Sequence, residues 1–354
     1  MAQKSGRRGG NVVTIHEVAR HAGVSPMTVS RVVNGENNVR ASTREKVEAS
    51  IRTLRYSPNL AARSLASAET VRIGLLHSNP SAAYLSEFLV GSLEQSSLSG
   101  CQLVIEKCDE PGSERAAIEK LASTGADGLI LPPPLCDSAE SLQAVAKVGI
   151  PVVVVATGRP AEGFSAVSID DYAAALSMTR HLISLGHRDI GFIKGHPNQT
   201  ASERRYEGFL AGMAEAGLKV SRRQVAQGYF TYRSGLEAAE ALLAARPGPS
   251  AIFASNDDMA AATVAVAHRK GLDVPRDVSI VGFDDTALAT TVWPALTTVV
   301  QPITEMARAA VILLLDQIRR KRAGASSEPV HQLMEFTLVK RESCARAPVD
   351  APVL

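Results

Sequence analysis

The chain has 354 residues, 45% of them hydrophobic and 21% charged, with a formal net charge of +2. This is the composition of a folded globular protein and excludes disorder throughout; a length of this order suggests two or three domains. No run of about 18 apolar residues occurs, which excludes a hydrophobic transmembrane helix.

The opening MAQKSGRRGG is basic but leads into no apolar segment. It does not read as a secretory signal, and the expected compartment is the cytoplasm. Cys101, Cys108, Cys136 and Cys344 form no CxxC and no paired zinc spacing. They are expected to be reduced thiols, with no metal and no cofactor. Charge is unevenly spread: residues 1–70 carry 11 Lys+Arg against 5 Asp+Glu, and the remainder 27 against 31. A basic head on a mildly acidic body suggests that the head meets a polyanion, although a basic segment without a partner has the same balance.

Residues 14–55 read as three short helices. Thr14 with Glu17 makes a capping box, and Ile15, Val18, Ala19 and Ala22 recur at helical spacing. Gly23 is a left-handed stop. Ser25 caps a second helix that opens on Pro26 and ends near Asn34-Gly35. Ser42 with Glu45 suggests a second capping box, and Val47, Ile51 and Leu54 give the third helix an inner face. Two short helices joined by a glycine-containing turn form a helix-turn-helix. Helix two turns Met27, Thr28, Ser30 and Arg31 outward, and Arg31 can pair bidentately with guanine. A plain three-helix cap is the simpler alternative.

Thr14-Ile15-His16-Glu17-Val18-Ala19, Ala22-Gly23-Val24-Ser25 and Thr28-Val29-Ser30-Arg31-Val32-Val33-Asn34-Gly35 resemble the DNA-binding head of the lac repressor/galactose repressor family. Thr43-Arg44-Glu45-Lys46-Val47 and Tyr56-Ser57-Pro58-Asn59 continue the resemblance. It implies that Pro26, Met27 and Arg31 face bases in the major groove. Thr14, Ser25, Thr28, Ser30 and Asn34 would contact phosphates.

Residues 58–66 are helix-prone but only about two turns long, too short to be stable alone in water. A simple linker is one reading. Ala62-Arg63-Ser64-Leu65 resembles the family's hinge helix, most closely in its purine-type branch. That resemblance adds Asn59, Ala62 and Leu65 to the DNA contacts, with Leu65 as an apolar wedge that kinks the duplex from the minor groove.

From residue 71 short apolar runs alternate with helical stretches. The runs are 71–76, 102–106, 128–131, 151–155, 189–193, 251–254, 278–283, 296–300 and 333–339. The helical stretches are 85–99, 113–123, 138–147, 171–185, 203–216, 233–245, 257–270 and 303–322. This rhythm predicts parallel sheets with helices on both faces, in two doubly wound α/β subdomains with a break near 166–170. No GxGxxG, Walker A, GxSxG or HExxH motif is present, and no nucleophile–base pair points to an enzyme. Leu185-Gly186-His187-Arg188-Asp189-Ile190-Gly191-Phe192-Ile193, the segment 253–260, the segment 279–285, Leu296-Thr297-Thr298-Val299 and Leu338-Val339-Lys340-Arg341 extend the family resemblance to roughly residues 12–343.

The resemblance implies a small all-α head and a body like periplasmic sugar-binding proteins. It divides the chain into a DNA-binding head (12–57), a hinge and linker (58–70), and a first ligand-binding subdomain (71–168 with 301–330). A second subdomain (169–300 with 331–344) and a tail (345–354) follow. It also implies a ligand cleft lined by Ser78, Tyr84, Arg205, Phe230, Asn256, Asp284 and Gln301. Arg, Asn and Asp converging beside an aromatic ring suit a polyhydroxylated ligand. A cap role for Asp284, a core role for Phe230 and a surface pair of Arg205 with Glu203 or Glu207 are the simpler alternatives. Ala156 stands where many relatives place Asp, so the ligand is not to be copied from one relative.

The expected function is a ligand-responsive repressor that binds a palindromic operator as a homodimer, under allosteric control by a sugar or sugar derivative. A nucleobase or nucleoside co-repressor is the alternative. The tail after Ser343 lacks leucine heptads, so a tetramer-forming coiled coil is not expected.

Overall fold

The computed structural model describes residues 13–33, 39–54, 56, 70–108, 112–244, 248–325 and 328–348. The chain forms two compact units divided between Thr70 and Val71.

In the first unit, α1 (Ile15–Ala22), α2 (Pro26–Val33) and α3 (Ala41–Leu54) enclose Val18, Ala19, Val29, Val32 and Val47. The Thr14–Glu17 capping box forms as expected: the Thr14 N–H donates to Glu17 Oε2 at 2.7 Å. Gly23 ends α1 at φ 65°, a left-handed conformation that costs glycine little. His21 Nδ1 and Ser50 Oγ, 3.0 Å apart, join α1 to α3. One expectation fails here. Helix α3 begins at Ala41, so Ser42 lies inside its first turn and not at its cap.

In the second unit, β1 (Arg72–His77), β2 (Gln102–Lys107), β3 (Gly128–Leu131), β4 (Val152–Val155), β5 (Ser165–Ile169) and a late strand at His331–Met334 form one sheet. In spatial order it runs from the late strand through β5, β4, β3 and β1 to β2, with every pairing parallel. The helices between its strands are α4 (Ala82–Ser99), α5 (Glu114–Ser123) and α6 (Ala139–Val148). Strands β3 and β4 are buried along their whole length, as parallel strands covered on both faces should be.

After β5 the chain crosses to a second sheet through α7 (Asp171–Ser184). Strands β6 (Ile190–Lys194), β7 (Val225–Gln227), β8 (Ala251–Ala254) and β9 (Ser279–Val281) lie in the parallel order β7-β6-β8-β9. Helices α8 (Thr200–Glu215), α9 (Tyr232–Leu242), α10 (Asp257–Arg269) and α11 (Ala287–Thr291) belong with it. After β10 (Thr298–Val300) the chain returns through α12 (Ile303–Arg322) to the late strand, β11 (His331–Met334), in the first sheet. It crosses once more to β12 (Thr337–Val339), antiparallel to β10.

Three expectations need correction. Residues 333–339 are not one strand, and His331–Met334 pairs with β5 in the first sheet, so the last crossing follows Met334 and not residue 330. Residues 165–169 are a strand and not merely the break, because Ser165 and Ser168 are buried on it. Val225–Gln227 is a further short edge strand.

In both sheets the strand order reverses beside the first strand, between β1 and β3 and between β6 and β8. Loops leaving the carboxyl ends of strands at such a reversal flank a crevice, the usual place for a ligand in this architecture. Below the second crevice Phe192 stacks on Phe209 at 4.7 Å and meets Phe253 edge-on at 5.2 Å. All three rings are buried, which makes a rigid floor.

Candidate functional site

Both reversal points open on one cleft. Its inner part, about 30 Å³, is lined by Asn79, Ser81 and Tyr84 after β1, Pro133 after β3 and Ala156 after β4. Facing them are Gln199, Ala201 and Arg205 after β6, Phe230 after β7, Asn256 after β8, Asp284 after β9 and Gln301 after β10. Six of the seven expected ligand residues are therefore brought together. Ser78 is not among them; it lines an adjoining outer pocket with Asp137, His196 and Tyr229.

Arg205 organises the floor. Its Nε donates to Asp171 Oδ1 at 2.7 Å, its Nη1 to the Ser255 carbonyl at 2.6 Å and its Nη2 to Gln301 Oε1 at 3.0 Å. Asp284 Oδ1 is 3.5 Å from Nη1, and the guanidinium lies 3.6 Å over the Phe283 ring. Arg205 is buried, and it pairs with neither Glu203 nor Glu207. Those two carboxylates sit near Arg159, Glu207 at 2.6 Å and Glu203 at 3.6 Å. Sequence reasoning missed Asp171, whose only signal was a second carboxylate beside the helix cap Asp170.

Asp284 is buried, which pushes its carboxyl well above the usual carboxylate range despite the opposing pull of Arg205. Burial likewise raises Asp171, and the Arg205 charge offsets part of that. The Tyr84 hydroxyl is raised well above its ordinary value by burial and by the Asp284 charge, and it has no hydrogen-bond partner among the described residues. A buried, unpartnered hydroxyl in a polar cleft is an open position for a ligand atom. Asn256 is largely committed to structure. Its Oδ1 accepts from the Met259 N–H at 3.0 Å as the cap of α10, and its Nδ2 donates to the Phe230 carbonyl at 3.1 Å.

Among the described residues, non-glycine positions with positive φ are Ala156 (56°), Phe230 (60°), Asp284 (108°) and Asp285 (56°). The first three line the cleft. Strained backbone of this kind persists only where surrounding bonds hold it, and it concentrates at functional sites. One such support is Asp257. It accepts from the Thr298 hydroxyl at 2.7 Å and from the Thr286 N–H at 2.8 Å, bracketing the turn that presents Asp284.

In the head, Met27 is 63% exposed on α2, Arg31 is also exposed, and Val29 and Val32 of the same helix are buried. Ser25 Oγ accepts from the Thr28 N–H at 3.2 Å and lies 2.9 Å from the Thr28 hydroxyl. Pro26 and Ser30 are half-buried on the same helix, and Thr14 caps α1. Asn34, Asn59, Ala62 and Leu65 lie outside the described residues. No helix among the described residues is long and apolar enough to cross a membrane.

Residues 14–59 match the model described as bacterial regulatory proteins, lacI family, and residues 179–344 match a periplasmic binding protein-like domain. The chain is 36% identical to an HTH-type transcriptional repressor PurR of Pectobacterium atrosepticum, over 95% of this chain and 98% of that one. It is 34% identical to catabolite control protein A of Priestia megaterium, over 92% and 98%. Among solved structures it is similar to a transcriptional regulator CelR–cellobiose complex, with TM-score 0.71, 32% identity and coverage of 94% and 99%. It is also similar to a lac repressor dimer bound to operator and an anti-inducer, with TM-score 0.70, 27% identity and the same coverage. A helix-turn-helix head, a cleft between two parallel sheets and full-length similarity of this extent agree, and the chain belongs to the lacI family of bacterial regulatory proteins, which are DNA-binding transcriptional regulators and not enzymes.

Proposed function

We propose that this regulator is a repressor that binds a palindromic operator as a homodimer and is released by an uncharged polyhydroxylated effector, a sugar or small oligosaccharide, held in the cleft. The charge balance around Arg205 carries this reading. Arg205 is the one cation among the described lining residues, and Asp171 already neutralises it at 2.7 Å. An anion such as a sugar phosphate would lose its hydration without gaining a free countercharge. A neutral polyol would use the Tyr84 hydroxyl, the Asp284 carboxyl and the Phe230 ring, whose face suits sugar C–H groups. The similarity to a cellobiose complex supports the same class.

A second reading rests on its own observation. Two aromatic side chains, Tyr84 and Phe230, line the inner cleft, an arrangement that also suits a planar nucleobase. The similarity to PurR favours it.

The DNA contacts proposed are Thr14, Ser25, Pro26, Met27, Thr28, Ser30, Arg31, Asn34, Asn59, Ala62 and Leu65. A thermal-shift screen against sugars, sugar phosphates and nucleobases tests the effector class. A ligand at 100 times its Kd should add about 2.7 kcal/mol of stability. A neutral-sugar hit that also weakens operator binding in a gel shift supports the proposal. A hit from sugar phosphates alone overturns the charge argument, and one from nucleobases alone selects the second reading.

A further inference from the structure

Helix α8 carries Arg205 into the cleft, yet it lacks a local cap. Its N-cap residue, Gln199, makes no side-chain capping bond. The Thr200 N–H instead donates to Asp137 Oδ2 at 2.8 Å, and Asp137 belongs to the other subdomain, in the turn after β3. The Thr200 hydroxyl reaches the same carboxylate at 2.9 and 3.0 Å and accepts from the Gly158 and Arg159 N–H groups at 2.9 and 3.1 Å. Thr157, buried beside them, donates to Asp137 Oδ1 at 2.7 Å. The fit leaves no spare room, since a Cβ on Gly158 would stand 2.8 Å from the Ala201 backbone.

A second bond crosses the cleft elsewhere. Ser81, the cap of α4 and so of the helix that carries Tyr84, donates to Asp258 Oδ2 at 2.6 Å. Asp258 stands in the first turn of α10, which Asn256 caps. Each crossing bond thus reaches the start of a helix that presents a cleft residue. The first N–H groups of a helix need acceptors, and a carboxylate there also meets the positive end of the helix dipole. When that carboxylate comes from the opposite wall, opening the cleft removes the cap.

We infer that Asp137 is a positioning residue that caps α8 across the cleft, so that closure of the two subdomains and the placing of Arg205 are one event. Ser81–Asp258 is the companion latch. The inference rests on the cleft being the effector site, but its test uses the ligand-free, full-length protein and does not depend on which effector binds.

Hydrogen–deuterium exchange is read in two segments, 200–206 at the start of α8 and 82–88 at the start of α4. Asp137→Ala should speed exchange in 200–206 roughly fivefold or more, the size of a lost cap. It should also speed exchange in 82–88, which Asp137 does not touch. Ser81→Ala should in turn speed exchange in 200–206. Asp137→Asn keeps an oxygen for the Thr200 N–H and should restore most of the protection in both segments. If Asp137→Ala acts on 200–206 alone, or Ser81→Ala leaves 200–206 unchanged, Asp137 is a local cap and the inference fails. Unaltered exchange in 200–206 in Asp137→Ala also overturns it. Should that variant unfold globally, the Ser81→Ala reading at 200–206 still decides.

Discussion

Arg205 and Asp171 form an almost wholly buried ion pair at 2.7 Å that joins the start of α7 to the second turn of α8. Removing either partner leaves an uncompensated charge, which typically costs roughly 3–5 kcal/mol. Arg205→Ala and Asp171→Ala should each lower Tm by several degrees in differential scanning calorimetry. Arg205→Met with Asp171→Leu should recover most of that stability and none of the effector response. A double variant as unstable as the single ones would show that the pair does more than balance charge.

Asp257 gives a pH dependence whose sign is fixed. Burial raises its carboxyl to about 7, outweighing its bonds from Thr298 and Thr286. A group raised on folding lends stability that is complete below its ordinary pKa of 3.8 and is lost as pH climbs through about 7. Asp257→Asn keeps an acceptor for the Thr286 N–H and can donate to Thr298 with its amide. Unfolding free energies from urea titrations at several pH values should fall between pH 4 and 7 in the wild type by up to about 1.4 kcal/mol per pH unit from this group. The variant should show a flatter profile.

Gly195 offers a way to close the effector site without touching a polar group. A Cβ there would overlap the Phe230 ring, so alanine must displace the ring. Gly195→Ala is expected to weaken effector binding at least tenfold by isothermal titration calorimetry, about 1.4 kcal/mol. Operator binding without effector should survive. Loss of operator binding as well would mean that the ring is structural.

Arg31 is the donor on α2 best suited to reading a base. Arg31→Ala should weaken operator binding by about 1–3 kcal/mol and relax preference at one base pair in each half-site. Binding to random DNA should fall much less. Equal losses on both DNAs would assign Arg31 to phosphate contact.

How much of this was legible beforehand depended on the kind of signal. Helix 303–322 was read to the residue because its apolar face repeats over 20 residues. The strands at 128–131 and 251–254 were equally clear as short apolar runs. Strand β5 was not, because Ser165 and Ser168 look like linker. Ser165 is buried only because its hydroxyl accepts from Gln317 at 2.5 Å and from the Val330 N–H at 2.9 Å, partners more than 150 residues away. In the cleft, Arg205 and Asp284 were found by resemblance. Asp171 and Asp137 were not, since each matters only through a residue it meets in space, and nothing local marks that meeting.

The three crossings between the sheets mean that neither half of the body is a continuous stretch of chain. A stop codon near residue 330 would remove β11 from the edge of the first sheet and, in the same stroke, β12 from its place beside β10. It would also delete Ser343, which accepts from the Thr297 N–H at 2.9 Å and donates to the Ile280 carbonyl at 2.5 Å, well inside the second half. Late truncations should therefore inactivate the whole body and not merely trim it. Neither half can be produced as a simple fragment, and a purification tag belongs beyond Ala347, whose N–H still bonds the Leu185 carbonyl at 2.9 Å.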